Sequence, residues 1–177
     1  MDRVAIGLGS NVGDRRAHLD YAVAQLRALL GNVLVSRYYD TVPVGVSGPQ
    51  AMYLNAALVG DTTLTPRALL DTLLALEQER GRERPYANAP RTLDLDLILL
   101  GETVLEEPDL TVPHPRFRER RFVLEPLAAV APDLRDPISG KTVAELLAAA
   151  GPGGAQVSAS ARASDAAAPH AIPPSPR

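Results

Sequence analysis

The segment APRTLDLDLILL, residues 89–100, alternates leucine with aspartate and then becomes wholly apolar. Side chains on a β-strand point to opposite faces with period two. A strand from Leu93 to Leu100 therefore directs Leu93, Leu95 and Leu97 one way and Asp94 and Asp96 the other. The leucine face needs a core to cover it. The aspartate face holds two carboxylates about 7 Å apart at Cα. Like charges that close on an otherwise apolar strand cost stability unless a cation offsets them. A hard divalent cation such as Mg²⁺ takes oxygen ligands of this kind. The same pattern also suits an edge strand whose outer face is wet and acidic.

Outward from this strand, the chain alternates strands and helices irregularly. Val4 to Leu8 reads as a short buried strand, followed by the turn GSNVGD. Asp14 caps a helix running to about Leu30, with Leu19, Val23, Leu26 and Leu30 on one face and Gly31 as its stop. Val33 to Tyr39 reads as a second strand, residues 41–50 (two Pro, two Gly) as a loop, and Tyr53 to Val59 as a third strand. Thr65 followed by Pro66 opens a helix to about Arg80, with Gly81 beyond it. Arg82 to Pro90 is a polar loop. After Gly101 an extended piece leads to TVPHPRF, and helices are expected around Phe122 to Ala129 and Thr142 to Ala150. Hairpin-length links in places favour an α+β fold over a doubly wound sheet.

Composition narrows the function. The 177 residues fit one domain, and 46% hydrophobic content supplies a core. Aromatics make up only 4%, so that core is aliphatic. The absence of cysteine excludes disulfides, a thiolate nucleophile and a zinc–thiolate site. No apolar run suits a signal peptide or a bilayer span, which makes a cytoplasmic protein the expectation. Residues 1–150 are expected to form the folded domain. Residues 151–177 hold Ala, Ser, Pro and Gly with almost no large apolar side chain, and are expected to be a disordered tail.

The net charge is −3, yet eight arginines fall between Arg80 and Arg121. Arginines beside a carboxylate pair suit a phosphate-rich, metal-bound ligand. Loop arginines such as Arg82, Arg84 and Arg91 can close on a triphosphate and neutralise developing charge. Each taken singly also reads as a solvated surface residue. His114 is held between Pro113 and Pro115, which fixes where its imidazole points, near Arg116, Arg118, Arg120 and Arg121. In YLNAAL, residues 53–58, Tyr53 and Asn55 share a face, a pairing suited to a flat heterocycle or simply to an exposed sheet face. GLGSNVG, residues 7–13, is one residue too long for the dinucleotide fingerprint and lacks the ribose-binding acid. There is no phosphate-binding P-loop motif. A nucleic-acid module built on the arginines is disfavoured by the net charge and by the two aspartates among them.

Taken in order, these residues resemble the 6-hydroxymethyl-7,8-dihydropterin pyrophosphokinase family. The motifs run GSN at 9–11, TxPxG at 41–45, YLNAA at 53–57, ExxxGRxR at 77–84, PRTLDLDLILL at 90–100, VPHPR at 112–116 and RxFVLEPL at 120–127. The resemblance implies a ferredoxin-like α+β fold with a central antiparallel sheet and mobile loops over the site. It implies transfer of diphosphate from ATP to the pterin's hydroxymethyl group in folate biosynthesis, by a monomer that binds neither nucleic acid nor membrane. Asp94 and Asp96 match ligands of two Mg²⁺ ions, with Asp96 placed to assist deprotonation of the alcohol. Arg82 and Arg91 match the catalytic loop arginines. Arg84, Leu97, Thr111, His114 and Arg120 match the ATP side. Tyr53 and Phe122 match the aromatic pair around the pterin, with Asn55 and the backbone of Thr41 to Val44 on its edge. The sequence departs from the family at Ala87, where a basic residue is common, at Asn88, where some members have Trp, and at Pro115, where others have Tyr.

Overall fold

The computed structural model describes residues 1–42, 52–81 and 92–151. Its centre is an antiparallel sheet. β1 (Asp2–Ser10) lies between β4 (Tyr53–Thr62) and β5 (Asp94–Leu100), and β2 (Gly31–Val35) and β3 (Tyr39–Thr41) both pair with the far side of β4. With β2 and β3 taken as one interrupted strand, the chain runs βαββαβ, the split order of ferredoxin-like folds. This bears out the α+β expectation.

The expected single strand over 33–39 is a correction: the ladder breaks at Ser36. That residue donates its N–H to the Ala57 carbonyl at 2.9 Å, while its Oγ accepts from Ala57 N–H at 2.9 Å. A side-chain oxygen thus takes the place of a backbone carbonyl, and pairing resumes only at Tyr39 opposite Asn55.

One face of the sheet carries the two expected helices. α1 (Arg15–Leu29) starts where the Asp14 carboxylate accepts from Ala17 N–H at 3.0 Å. α2 (Pro66–Glu79) starts where Thr65 Oγ1 accepts from Ala68 N–H at 3.2 Å, with Pro66 in the first turn. Beneath them lie Val4, Ile6 and Leu8 of β1 and Leu93, Leu95 and Leu97. The opposite face packs Ala5, Ala57, Val59, Ile98 and Leu99 against α3 (Arg121–Val130) and α4 (Val143–Ala149), the latter started by a Thr142–Glu145 capping box.

The leucine–aspartate alternation holds as far as Leu97 and then stops. The β1–β5 register shifts between Ala5 and Ile6, so Ile98 and Leu99 both join the α3/α4 core. Outside the main sheet, β6 (Leu105–Glu107) and β7 (Leu110–Val112) form a hairpin. Arg67, at the start of α2, donates to the Asp109 carboxylate at 2.7 and 3.0 Å and to Glu107, which ties the hairpin to that helix.

Candidate functional site

β1 spends its two faces differently. Val4, Ile6 and Leu8 are large and buried, but the α3/α4 side reads Ala5, Gly7, Gly9. Gly9 pairs with Asn55 on one side and Asp94 on the other, and Gly7 pairs with Ala57 and Asp96. Opposed residues of an antiparallel pair project to the same face. Tyr53 and Asn55 therefore face Asp94 and Asp96 across a strip of β1 that carries no side chain. In the sequence these glycines read as a failed dinucleotide motif and, for Gly9, as part of the GSN motif, with no role for the face they leave bare. The signal that could have found them is their spacing of two on a strand, which clears one face at positions 7 and 9.

At Gly9 the clearance is tight. A Cβ there would stand 2.8 Å from Asn55 Oδ1 and 3.7 Å from Tyr53 Cδ1. Asn55 is buried and its Nδ2 donates to Thr41 Oγ1, itself buried on β3. The amide is thereby held in one orientation beside Tyr53, which is half-buried. Leu54 alternates away, into a separate cavity of about 360 Å³ walled by Arg15, Arg16, Tyr38 and Asp40.

On the other side of the strip, Asp94 and Asp96 are half-buried on the edge strand. Among the described residues no third His, Cys, Asp or Glu joins them in a metal-binding group. Two carboxylates with the remaining positions left to water and phosphate oxygen are the donor set Mg²⁺ takes with a nucleotide. The residues present fit that ion.

His114 follows the cis Val112–Pro113 bond, and its N–H donates to the Ile98 carbonyl at 2.9 Å, which docks the segment on β5. Its Nδ1 accepts from Arg116 N–H at 3.2 Å. Burial pushes the imidazole down to about 4, the charges of Arg120 and Arg116 push the same way, and Asp94 opposes them. The ring is therefore neutral near pH 7, and with Nδ1 accepting, the proton sits on Nε2 as a donor. Arg120 precedes α3 and places its guanidinium 5.6 Å from the centre of the Phe122 ring. α3 packs against β4, the strand of Tyr53 and Asn55.

Thr111 is half-buried on β7 between buried Leu110 and Val112. Leu97 lies on the opposite face from the aspartates, 5% exposed, in the same core cluster as Leu110 and Val112. It therefore shares no surface with the carboxylate pair, and Thr111 alternates away from the Leu110 and Val112 side chains that Leu97 joins. Val44, Arg82, Arg84 and Arg91, together with the departures at Ala87 and Asn88, lie outside the described residues. Pro115 is exposed beside His114. No described helix is long and apolar enough to cross a membrane.

Comparison with known proteins agrees with this arrangement. Residues 5–132 match the model of the family described as 7,8-dihydro-6-hydroxymethylpterin-pyrophosphokinase (HPPK). The chain is 46% identical over 145 residues to a 2-amino-4-hydroxy-6-hydroxymethyldihydropteridine pyrophosphokinase of Synechocystis, covering 80% of this chain and 73% of that one. It is 44% identical over 151 residues to the enzyme of the same name from Pseudomonas aeruginosa, covering 84% and 92%. Among solved structures, wild-type HPPK-DHPS of Plasmodium falciparum with pteroate superposes with a TM-score of 0.66 at 14% identity, over 84% of this chain. The chain spans 42% of that longer protein, and the likeness speaks for the fold alone. A family model that takes in all of the site strands, with relatives aligned over most of their length, settles membership: this chain belongs to the 7,8-dihydro-6-hydroxymethylpterin-pyrophosphokinase family.

Proposed function

We propose a residue-by-residue reading of the family's reaction in this chain. The activity is transfer of the pyrophosphoryl group of ATP to 6-hydroxymethyl-7,8-dihydropterin, a step of folate biosynthesis. The observation that carries the reading is the Gly7–Gly9 strip, with Tyr53 and Asn55 on one side and Asp94 and Asp96 on the other.

Tyr53 and Phe122 bracket the pterin ring, while Asn55 and the backbone of Thr41 to Val44 hydrogen-bond its edge. Thr111 and Leu97 back the adenosine. His114, through Nε2–H, and Arg120 and Arg84, by charge, hold phosphate oxygens. Asp94 and Asp96 hold two Mg²⁺ ions, whose chemistry is to neutralise and orient the phosphates. The pterin's hydroxymethyl oxygen forms the new bond to the β-phosphorus. The bond from that phosphorus to the oxygen bridging α and β breaks, AMP leaves, and the alcohol proton is lost, with Asp96 placed to receive it. Arg82 and Arg91 take up charge that develops on the transferred group. This chemistry asks for positioning and charge stabilisation rather than a covalent intermediate.

The pyrophosphokinase unit spans residues 1–150, works as a monomer in the cytoplasm, and does not need residues 151–177. Every group the reaction requires lies on this one unit. The test is AMP release from ATP with and without the pterin and Mg²⁺, for wild type and Asp96→Ala. AMP formed only with both, and lost in the variant, supports the reading. AMP formed at the wild-type rate by Asp96→Ala would overturn it.

A further inference from the structure

Glu77 is a carboxylate with 1% of its surface exposed, in the last turn of α2, and the transfer described above makes no use of it. Its Oε1 accepts a hydrogen bond from the backbone N–H of Leu95 at 2.8 Å. Leu95 is the residue between Asp94 and Asp96.

The position of that bond in the sheet gives it meaning. β5 ends the sheet and pairs with β1 along one side only. Among the described residues no strand bonds the N–H and C=O groups of its other side, and α2, which contacts β5, reaches that side through Glu77. A buried backbone N–H without an acceptor is costly, and an edge held on one side is free to twist. Among the described residues two hydrogen bonds fix the outer side of β5. Leu95 N–H is held by Glu77, and the Ile98 carbonyl is held by His114 N–H at 2.9 Å. The two points bracket Asp96. A leucine or methionine at position 77 would fill the same space in the α2 face, so packing alone does not call for a carboxylate among Leu69, Leu73 and Leu76.

We propose that Glu77 is a positioning residue for the Asp94–Asp96 pair: by accepting the Leu95 N–H it sets the twist of β5 that brings both aspartates onto one metal-bound phosphate. It touches neither substrate and acts through the backbone of the residue between the two ligands. The inference rests on the metal reading of those aspartates.

The test compares Glu77→Gln, which keeps an acceptor oxygen, with Glu77→Leu, which keeps the volume and removes the acceptor. Three quantities are read: hydrogen exchange of the Leu95 amide, Mn²⁺ affinity with a non-hydrolysable ATP analogue, and kcat against KM for the pterin. In the Leu variant, exchange at Leu95 speeds up, Mn²⁺ affinity falls about 10- to 100-fold, as for losses around metal ligands, and kcat falls while the pterin KM stays near wild type. The Gln variant keeps all three close to wild type. A Leu variant with wild-type Mn²⁺ affinity overturns the proposal, as does a Gln variant whose Leu95 amide loses protection. Should the Leu variant not fold, the Gln variant alone still decides the matter by that amide. Asp96→Ala is measured in parallel. If it retains Mn²⁺ affinity, the metal reading itself fails; if it loses affinity and Glu77→Leu does not, only the role of Glu77 fails.

Discussion

Gly9 and Asn55 lie opposite one another in the β1–β4 ladder, so close that a Cβ on Gly9 would stand 2.8 Å from Asn55 Oδ1. Gly9 has no positive φ, so the need for glycine is steric rather than conformational. Asn55 has nowhere to go, being buried and bonded to Thr41. Gly9→Ala is expected to cost about 1–3 kcal/mol of stability by overpacking. It should also raise the pterin KM about tenfold, the equivalent of 1.4 kcal/mol. Gly7 is the control, because a Cβ there would meet Ile98 Cδ1 at 3.5 Å, an ordinary contact. Gly7→Ala should stay within about 0.5 kcal/mol of wild type in denaturant unfolding. An equal loss of stability in both variants would show that the Gly9–Asn55 approach is not what makes glycine necessary at position 9.

The neutral state of His114 has consequences for pH. With burial holding the folded imidazole at about 4, against about 6.5 in an unfolded chain, the unfolded state takes up a proton first as pH falls. His114 therefore contributes stability that is present above about pH 6.5 and is lost as pH falls through the folded value. Thermal unfolding of the free protein should show this slope between pH 6.5 and 4, and His114→Gln should lack it. In an NMR titration without ligands the ring should have a midpoint near 4. A midpoint near 6.5 would mean that the imidazole is not desolvated and that the tautomer assignment loses its basis.

Parts of this arrangement were legible in the sequence because they depend on local rules. Asp14 and Thr65 cap the helices they precede, and Leu93 to Leu97 alternate as a half-buried strand must. What was not legible depends on the neighbouring strand. Ser36 breaks its strand because its Oγ, rather than its carbonyl, accepts the Ala57 N–H of the neighbouring strand. Ile98 and Leu99 face the same core only because β1 shifts register opposite them. Gly7 and Gly9 gain their purpose from Asn55, Asp94 and Asp96, which lie 46 residues or more along the chain. Glu77 sat inside a quoted motif without a role, since nothing near it in sequence reveals a hydrogen bond to Leu95.

Residues 152–177 make no demand on the chemistry proposed above. Deleting them should leave kcat and both KM values within about twofold, a difference of roughly 0.4 kcal/mol. The cut falls just after Gly151, whose carbonyl accepts from Arg121 at 3.3 Å. The truncation should keep that residue to avoid disturbing the start of α3. A large loss of activity would show that the tail contributes to the site.

The segment between His114 and Arg120 is anchored from behind by an ion pair. Arg118 donates to both oxygens of Asp136, at 2.6 and 2.7 Å, and Asp136 is fully buried. Ser139 Oγ and the N–H groups of Ile138 and Ser139 donate to the same carboxylate. These bonds hold the Asp136 carboxyl well below the usual range, against the opposing effect of burial. Arg118 keeps 26% of its side chain exposed and stays over the Phe117 ring. Asp136→Ala therefore removes a hydrogen-bonded carboxylate but strands no fully buried charge, and should cost about 1–3 kcal/mol. The sign of the pH effect follows from the depressed value. The contribution is complete above the unfolded pKa of about 3.9 and disappears as pH falls toward the folded one. Wild-type stability should therefore drop below about pH 4, while the variant, lower throughout, should be flatter there. Because Arg118 lies between two phosphate-binding candidates, Asp136→Ala should also weaken ATP more than pterin, as isothermal titration with an ATP analogue would read. Equal weakening of both ligands would mean that the pair supports the fold as a whole rather than the His114–Arg120 segment.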